Sequence, residues 1–228
     1  MKIVIKIGGH VFSEGMNPQS IMSFAEELKE LRSEGHKVIA VAGGGEEARR
    51  YIKAARLLGA SEYVCDILGI EASRLNARLM IASMSGSAYP VPPKDIQELL
   101  MALESGKIIV AGGMQPGQST NAVAALIAEA IGADILINAT NVDGVYTSDP
   151  DKDPSAKKFN EISTSELLNL LRGGKMVAGS YELFDIAAIK IVERSKMTTR
   201  IINGKIAGNI GRAVKGEAVG TLVFSKGG

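Results

Sequence analysis

A chain of 228 residues, 46% apolar and 22% charged, has a globular composition and enough length to bury a full core, in one large domain or two small lobes. Its 26 basic and 25 acidic residues leave a formal net charge of +1, which argues against a general nucleic-acid or membrane surface and makes any basic patch local. Cys65 is the only cysteine and His10 and His36 the only histidines, which excludes an intramolecular disulfide and a cysteine metal cluster and argues against a histidine-centred zinc site or hydrolase.

From the N terminus, Val4, Ile5 and Ile7 predict a strand buried on both faces, with Lys6 near its far end and Gly8-Gly9 breaking it. The glycines let backbone N–H groups turn towards an anion, and Lys6 would bring its ammonium to the same place. The apolar opening is about six residues long and runs straight into glycines, unlike a signal peptide, and no apolar stretch approaches the ~20 residues of a membrane span. A soluble, cytoplasmic protein is therefore expected. Asn17-Pro18 starts a helix in which Ile21, Phe24, Ala25, Leu28 and Leu31 recur at helical spacing, and Gly35 ends it. Lys37 to Ala42 reads as a second buried strand, which completes a parallel βαβ unit.

Gly43-Gly44-Gly45 ends the second strand and feeds a helix over Glu46 to Leu58, whose first N–H groups and dipole favour an anion. Arg49 and Arg50 lie in its first turns, either as phosphate ligands or as a solvated face. Ser61 to Met84 reads as a long helix with Cys65 as a small core residue, Asp66 near its start, and Arg74, Asn76 and Arg78 giving it polar faces. His36, after a helix-ending glycine, is expected at the surface. Tyr89 to Pro93 is a linker or extended segment, Lys94 to Glu104 a short helix and Lys107 to Ala111 a third buried strand. That strand breaks on Gly112-Gly113, and the loop Met114 to Thr120 leads into an alanine-rich helix over Asn121 to Ile131, capped by Ser119, Thr120 or Asn121.

Asp134 to Asn138 predicts a fourth strand, followed by Thr140-Asn141-Val142-Asp143-Gly144-Val145-Tyr146 and, from Asp149-Pro150, a charged loop through Lys158. Ser163-Thr164-Ser165-Glu166 fits a capping box before Leu167 to Leu171. Gly173-Gly174-Lys175 reads as a break, Leu183 to Ser195 as the last long helix, and Arg200 to Ile202 and Thr221 to Phe224 as strands with Asn203-Gly204 turning between them. Ser225 to Gly228 is expected to fray. Ligands of an open parallel sheet sit beyond the carboxyl ends of its strands, and three such ends here carry glycine turns. Neither a Walker A loop nor a dinucleotide-binding Gly-x-Gly-x-x-Gly is present.

The ordered set Lys6-Ile7-Gly8-Gly9, Gly43-Gly44-Gly45 with Arg49, Gly112-Gly113 with its Pro-Gly loop, Thr140 to Tyr146, and Asp149-Pro150 resembles the amino acid kinase superfamily. Within it, order, spacing and length are most similar to the archaeal-type uridylate kinase branch, over essentially the whole chain. The resemblance implies an α/β fold, a three-layer αβα sandwich around a mostly parallel central sheet. It implies one domain over 1–228, with an acceptor-nucleotide lobe over about 1–131 and an ATP lobe over 132–228. It also implies transfer of the ATP γ-phosphoryl group to UMP, with Mg²⁺ carried by ATP rather than by a protein metal site. ATP and UMP are the expected partners, with no nucleic acid or membrane and a homo-oligomer, commonly a hexamer.

Residue by residue, the resemblance makes Lys6 and Asp143 catalytic, Lys6 serving the transferring group and Asp143 positioning cationic side chains. Gly8, Gly9, His10, Gly45, Arg49, Thr140, Asn141, Tyr146 and Asp149 would bind ATP. Gly44, Asp66, Met114, Gln115, Pro116, Gly117, Gln118, Ser119 and Thr120 would bind UMP, Asp66 accepting from the ribose hydroxyls. The sequence departs from the family pattern at His10, where a small hydroxyl residue or a lysine is common, and at Met114, which opens the uracil loop with an apolar side chain. The stretch Lys175 to Asp185 is bulkier than in some members, and no second catalytic lysine is assigned. The alternatives are a kinase of this fold for another small phosphate or carboxylate acceptor, and a nucleotide-binding storage or regulatory protein; the latter should lack the lysine at position 6.

Overall fold

The structure, a computed structural model, describes residues 1–12, 17–150, 152–172 and 184–225. The apolar opening forms β1 (Lys2–Ile7), and a 3₁₀ turn over Gly9–Phe12 follows the glycines. α1 (Pro18–Ser33) starts where Asn17 accepts a hydrogen bond from Gln19 N, with Pro18 in the first turn, and its Ile21, Phe24, Ala25, Leu28 and Leu31 are buried. β2 (Lys37–Ala42) leads into α2 (Gly45–Leu57), and Ser61 caps α3 (Glu62–Ala82). α4 (Ile96–Leu103) is capped by Asp95, β3 (Ile109–Ala111) follows, and α5 (Thr120–Ile131) is capped by Ser119. β4 (Ile135–Thr140) comes next, then β5 (Glu161–Ser163) and α6 (Thr164–Arg172). The capping box forms as its sequence indicates: Glu166 N donates to Ser163 Oγ and Ser163 N donates to Glu166 Oε2. α7 (Ile186–Ser195), β6 (Thr199–Asn203), α8 (Asn209–Val214) and β7 (Thr221–Phe224) complete the described chain.

The strands pair in the order β3-β2-β1-β4-β6-β7-β5, parallel throughout except for the antiparallel β6–β7 pair. Alternation along each strand sends side chains to two separate cores. Val4, Ile39, Val41, Ile109, Leu136 and Ile201 meet α4, α5, α6 and α7 on one face, whereas Ile3, Ile5, Ile7, Val38, Val110, Ile137 and Ile202 meet α1, α3 and α8 on the other. Burial on both faces explains why these strands read as unbroken apolar runs. The resulting three layers, αβα around a mostly parallel sheet, are the architecture expected from the sequence.

Three elements escaped the sequence reading for lack of length: the 3₁₀ turn, the three-residue β5, and α8, whose six residues include Gly211. Asn203-Gly204 consequently does not connect two strands directly but leads into α8, which fills the gap between antiparallel β6 and β7. β4 runs two residues past Asn138, which puts Thr140 at a strand end rather than in a loop. His36 is half-buried, not surface-exposed, because its ring packs 3.2 Å from the N-terminal nitrogen of Met1 and 3.7 Å from Glu34. The Gly173-Gly174-Lys175 break, the start of the helix expected from Leu183, and the terminal residues beyond Ser225 lie outside the described residues.

Candidate functional site

Chain direction leaves β1 towards β2 on one side, while β4 lies on the other, so the crevice of a switch-point site falls beyond Ile7 and Thr140. Lys6 lies in register between Val41 of β2 and Asn138 of β4, half-buried one step before the strand ends. The glycine turns meet there. A Cβ on Gly9 would come within 2.6 Å of both the N and Cα of Gly45, and one on Gly43 would come within 2.9 Å of Gly9 N. Two backbones in such contact exclude any side chain, which is the physical need for glycine at these positions. Gly8 N donates to Ala139 O at 2.8 Å and Gly43 N to Ile7 O at 3.0 Å, which holds the ends of β1, β2 and β4 in one plane.

Gly44 is the N-cap residue of α2 and Gly45 its first residue, at φ +69°, so the helix start and its unpaired N–H groups open onto the same place. The two arginines in its first turns separate. Arg50 is tied to Glu46 at 2.7 Å and Glu47 at 3.1 Å, whereas no ion pair of exposed Arg49 is found among the described residues. Of the two readings of these arginines, Arg50 fits the solvated face and Arg49 remains available to a ligand.

Beyond β3, Asp66 reaches across from α3 and accepts a hydrogen bond from Gly117 N at 2.7 Å, which draws the loop 114–120 over α3. Met114 is half-buried against the core, whereas Gln115, Gly117 and Ser119 are exposed, with Pro116, Gln118 and Thr120 between these extremes. Ser119 Oγ accepts from Ala122 N as the α5 cap and donates to the Asp185 carboxylate, which itself caps α7 by accepting from Ala188 N. This link ties the loop beyond β3 to the helix preceding β6.

On the other flank, the Thr140 hydroxyl is occupied by the turn, accepting from Val142 N at 3.2 Å, and its carbonyl accepts from Gly204 N at 2.8 Å. Asn141 is exposed beside it, and half-buried Tyr146 forms a bridge pairing with Lys158. Asp143 is paired with Lys158 at 2.8 Å, and Asp149 with Lys152 at 3.3 Å. Gly144, at φ +117°, lies so close to Thr221 that a Cβ there would collide with it. This pins the whole turn to β7.

The His10 ring packs against Gly8, where a Cβ would come within 2.5 Å of its Nδ1. Its ring lines a cavity of about 360 Å³ with Gln19, Ser20 and Ser23 of α1 and Lys205 beyond β6. Burial, then the charges of Lys205 and Lys6, lower its pKa from 6.5 to about 4, and its buried Nε2 has no hydrogen-bond partner among the described residues. A neutral imidazole brings no charge to a phosphate, and any side-chain contact from this position is that of a neutral N–H donor. The segment containing Lys175 lies outside the described residues.

Sequence reasoning treated Arg74 and Asn76 as polar faces of a helix and passed over Ser73. In the structure Ser73 and Asn76 are buried and bonded to the glycine turns, and the Arg74 guanidinium lies against the start of the 114–120 loop. Lys158 and Asp185 were also passed over. The only available signal was a polar residue at the i, i+3 positions of an apolar stripe, which sequence alone does not separate from a solvated face.

The model of the amino acid kinase family matches residues 1–203. The chain is 51% identical over 221 residues to the uridylate kinase of Hyperthermus butylicus, covering 97% of each, and 45% identical over 226 residues to that of Methanobrevibacter smithii, covering 99% of this chain and 100% of the relative. Its structure is similar to the crystal structure of uridylate kinase from Archaeoglobus fulgidus, with a TM-score of 0.88 at 44% identity over 98% of this chain and 100% of that one. The UMP kinase of Bacillus anthracis, at 21% identity and a TM-score of 0.83 over 99% and 96% of the two chains, shares the fold.

Proposed function

The chain belongs to the amino acid kinase family, and from that premise we propose that it is a uridylate kinase, transferring the γ-phosphoryl group of ATP to UMP to give UDP and ADP. The observation that carries this reading is the contact of the Gly8-Gly9 and Gly43-Gly44-Gly45 turns beside Lys6, at the switch point of the sheet. The attacking atom is a phosphate oxygen that is already anionic, so no strong base is needed. What the reaction demands is donors and positive charge arranged to offset repulsion between two phosphates and to stabilise the transferring group.

In this reading Lys6 and the N–H groups of Gly8 and Gly9 serve the transferring phosphoryl group, with His10 beside them on the ATP side. Gly44, Gly45 and Arg49 hold phosphates at the start of α2. Asp66, already turned towards the 114–120 loop, has its second carboxylate oxygen for the ribose hydroxyls, while Met114, Gln115, Pro116, Gly117, Gln118, Ser119 and Thr120 surround the uracil. Thr140, Asn141, Tyr146 and Asp149 form the ATP side, and Asp143 with Lys158 sets the charge balance at its edge. The acceptor-nucleotide lobe would run to about residue 131 and the ATP lobe from there, with Lys6, Gly8, Gly9, Gly45 and Arg49 of the first lobe reaching the phosphates between them. Among the described residues no three His, Cys, Asp or Glu side chains converge as a metal site. Mg²⁺ would come with the ATP phosphates, where it neutralises the charge between them.

Among the described residues no helix is long and apolar enough to cross a membrane, and the cytoplasm, where both nucleotides occur, is the compartment this reaction requires. Self-association is supported by exposed Leu57 and Leu58 at the end of α2 and Tyr63, Leu75 and Leu79 along α3, and the hexamer is what the family resemblance implies. The experiment that tests the catalytic assignment is steady-state kinetics of Lys6→Ala with ATP and UMP. The expected result is a kcat lower by roughly 10²-fold or more, as for removal of other transition-state donors. A kcat near that of the wild type removes Lys6 from the reaction.

A further inference from the structure

α3 crosses directly beneath the two glycine turns that receive the acceptor. A Cβ on Gly112 would lie 2.8 Å from Arg74 N and 2.9 Å from the Ser73 carbonyl carbon, and one on Gly113 would lie 2.9 Å from Ile70 Cγ1. The loops therefore rest on the helix backbone itself, and two of their peptide groups are buried where water does not reach them. The helix satisfies both. Asn76 Nδ2 donates to Gly43 O at 2.8 Å, and Ser73 Oγ accepts from Gly113 N at 2.7 Å while donating to Ile70 O at 2.7 Å. Ser73 is 1% and Asn76 3% exposed. They are three residues apart, so they project from one face of the helix.

Arg74, between them, donates through Nε to Gly113 O at 3.1 Å and through Nη2 to Met114 O at 3.4 Å. One turn of α3 thus fixes the carbonyl before Gly44, the amide of Gly113 and the start of the 114–120 loop. We infer that Ser73 and Asn76 are positioning residues for the acceptor nucleotide, setting the relative placement of the turns beyond β2 and β3. Neither touches substrate. They act by fixing the backbone of loops whose N–H groups and carbonyls do, and small displacements of such groups weaken binding and alignment. On the ATP side, Gly8 N to Ala139 O and Gly204 N to Thr140 O join the strand ends without Ser73 or Asn76, and the Gly43 N to Ile7 O bond links that side to this helix turn at one remove.

The inference rests on the uridylate kinase reading, and initial-rate kinetics of the full chain, varying UMP and ATP separately, distinguishes the two. In Ser73→Ala and Asn76→Ala the KM for UMP should rise about tenfold, with the KM for ATP within about twofold of the wild type. Ser73→Thr, which keeps the hydroxyl, should restore the UMP KM. Should the alanine variants fail to fold, the near-isosteric Ser73→Cys carries the same comparison against Ser73→Thr, because a thiol is a weaker acceptor. Unchanged UMP KM in these variants, equal changes in both KM values, or no rescue by threonine overturns the inference while leaving the function standing. A wild type that does not turn over UMP overturns both.

Discussion

His10 is the residue at which geometry adds most to the sequence. Adjacent to Gly8-Gly9 it reads as an ATP contact, and the 3₁₀ turn over Gly9–Phe12 lays its ring against Gly8 on one side and on the cavity beside α1 and Lys205 on the other. Its depressed pKa has a stability consequence whose sign is fixed. An unfolded chain takes up the proton as pH falls through about 6.5, whereas the folded chain resists it until about 4, so stability is lost across that window and no further below it. The largest possible loss is about 3 kcal/mol, from the size of the shift. Thermal denaturation at pH 7 and pH 4.5 should therefore destabilise the wild type more than His10→Gln. Glu27, whose carboxyl is raised chiefly by burial, contributes equally to both proteins and cancels in the comparison. Parallel pH profiles would show that the ring is solvated and charged. What sequence could not supply here is direction: a residue after a glycine pair has no periodicity from which to read the face it takes.

At the level of elements, the local signals were the dependable ones. Asn17-Pro18 and the Ser163–Glu166 box produced the helix starts they encode, because capping needs only neighbours in sequence. β5 and α8 were missed because three strand residues and six helical ones leave too little pattern, and both are stabilised by distant partners, β7 for one and β6 for the other. The buried polar face of α3 was misread for a related reason. A polar residue looks alike whether it faces water or an orphaned peptide group, and only the arrival of β2 and β3 decides. The α2–α3 pair carries an unsatisfied requirement elsewhere, because Leu57 and Leu58 at the end of α2 and Leu75 and Leu79 along α3 are exposed. Light scattering should give a mass that is a multiple of the monomer's, and Leu75→Glu with Leu79→Glu should shift it towards the monomer while secondary structure is retained. A monomeric wild type would refute self-association.

At the scale of the molecule, a single sheet brings together residues spread from Lys6 to Asp149, because its parallel strands end at one edge and reverse their order of connection between β1 and β4. That convergence was legible as repeated glycine-terminated apolar runs, since strands buried on both faces show themselves by composition alone. The cross-links that shape the site were not legible: Asp66 to Gly117, Ser119 to Asp185 and Asp143 to Lys158 join residues that only the folded topology makes neighbours. The central claim is that this edge joins ATP to UMP and to no other acceptor class. Its most direct test is transfer of labelled γ-phosphate from ATP across a panel of UMP, the other nucleoside monophosphates, isopentenyl phosphate, carbamate and acetylglutamate. Efficient labelling of UMP, with the non-nucleotide acceptors unlabelled, is the predicted result; turnover of one of those acceptors with none of UMP, or binding of ATP and UMP without transfer, would contradict it.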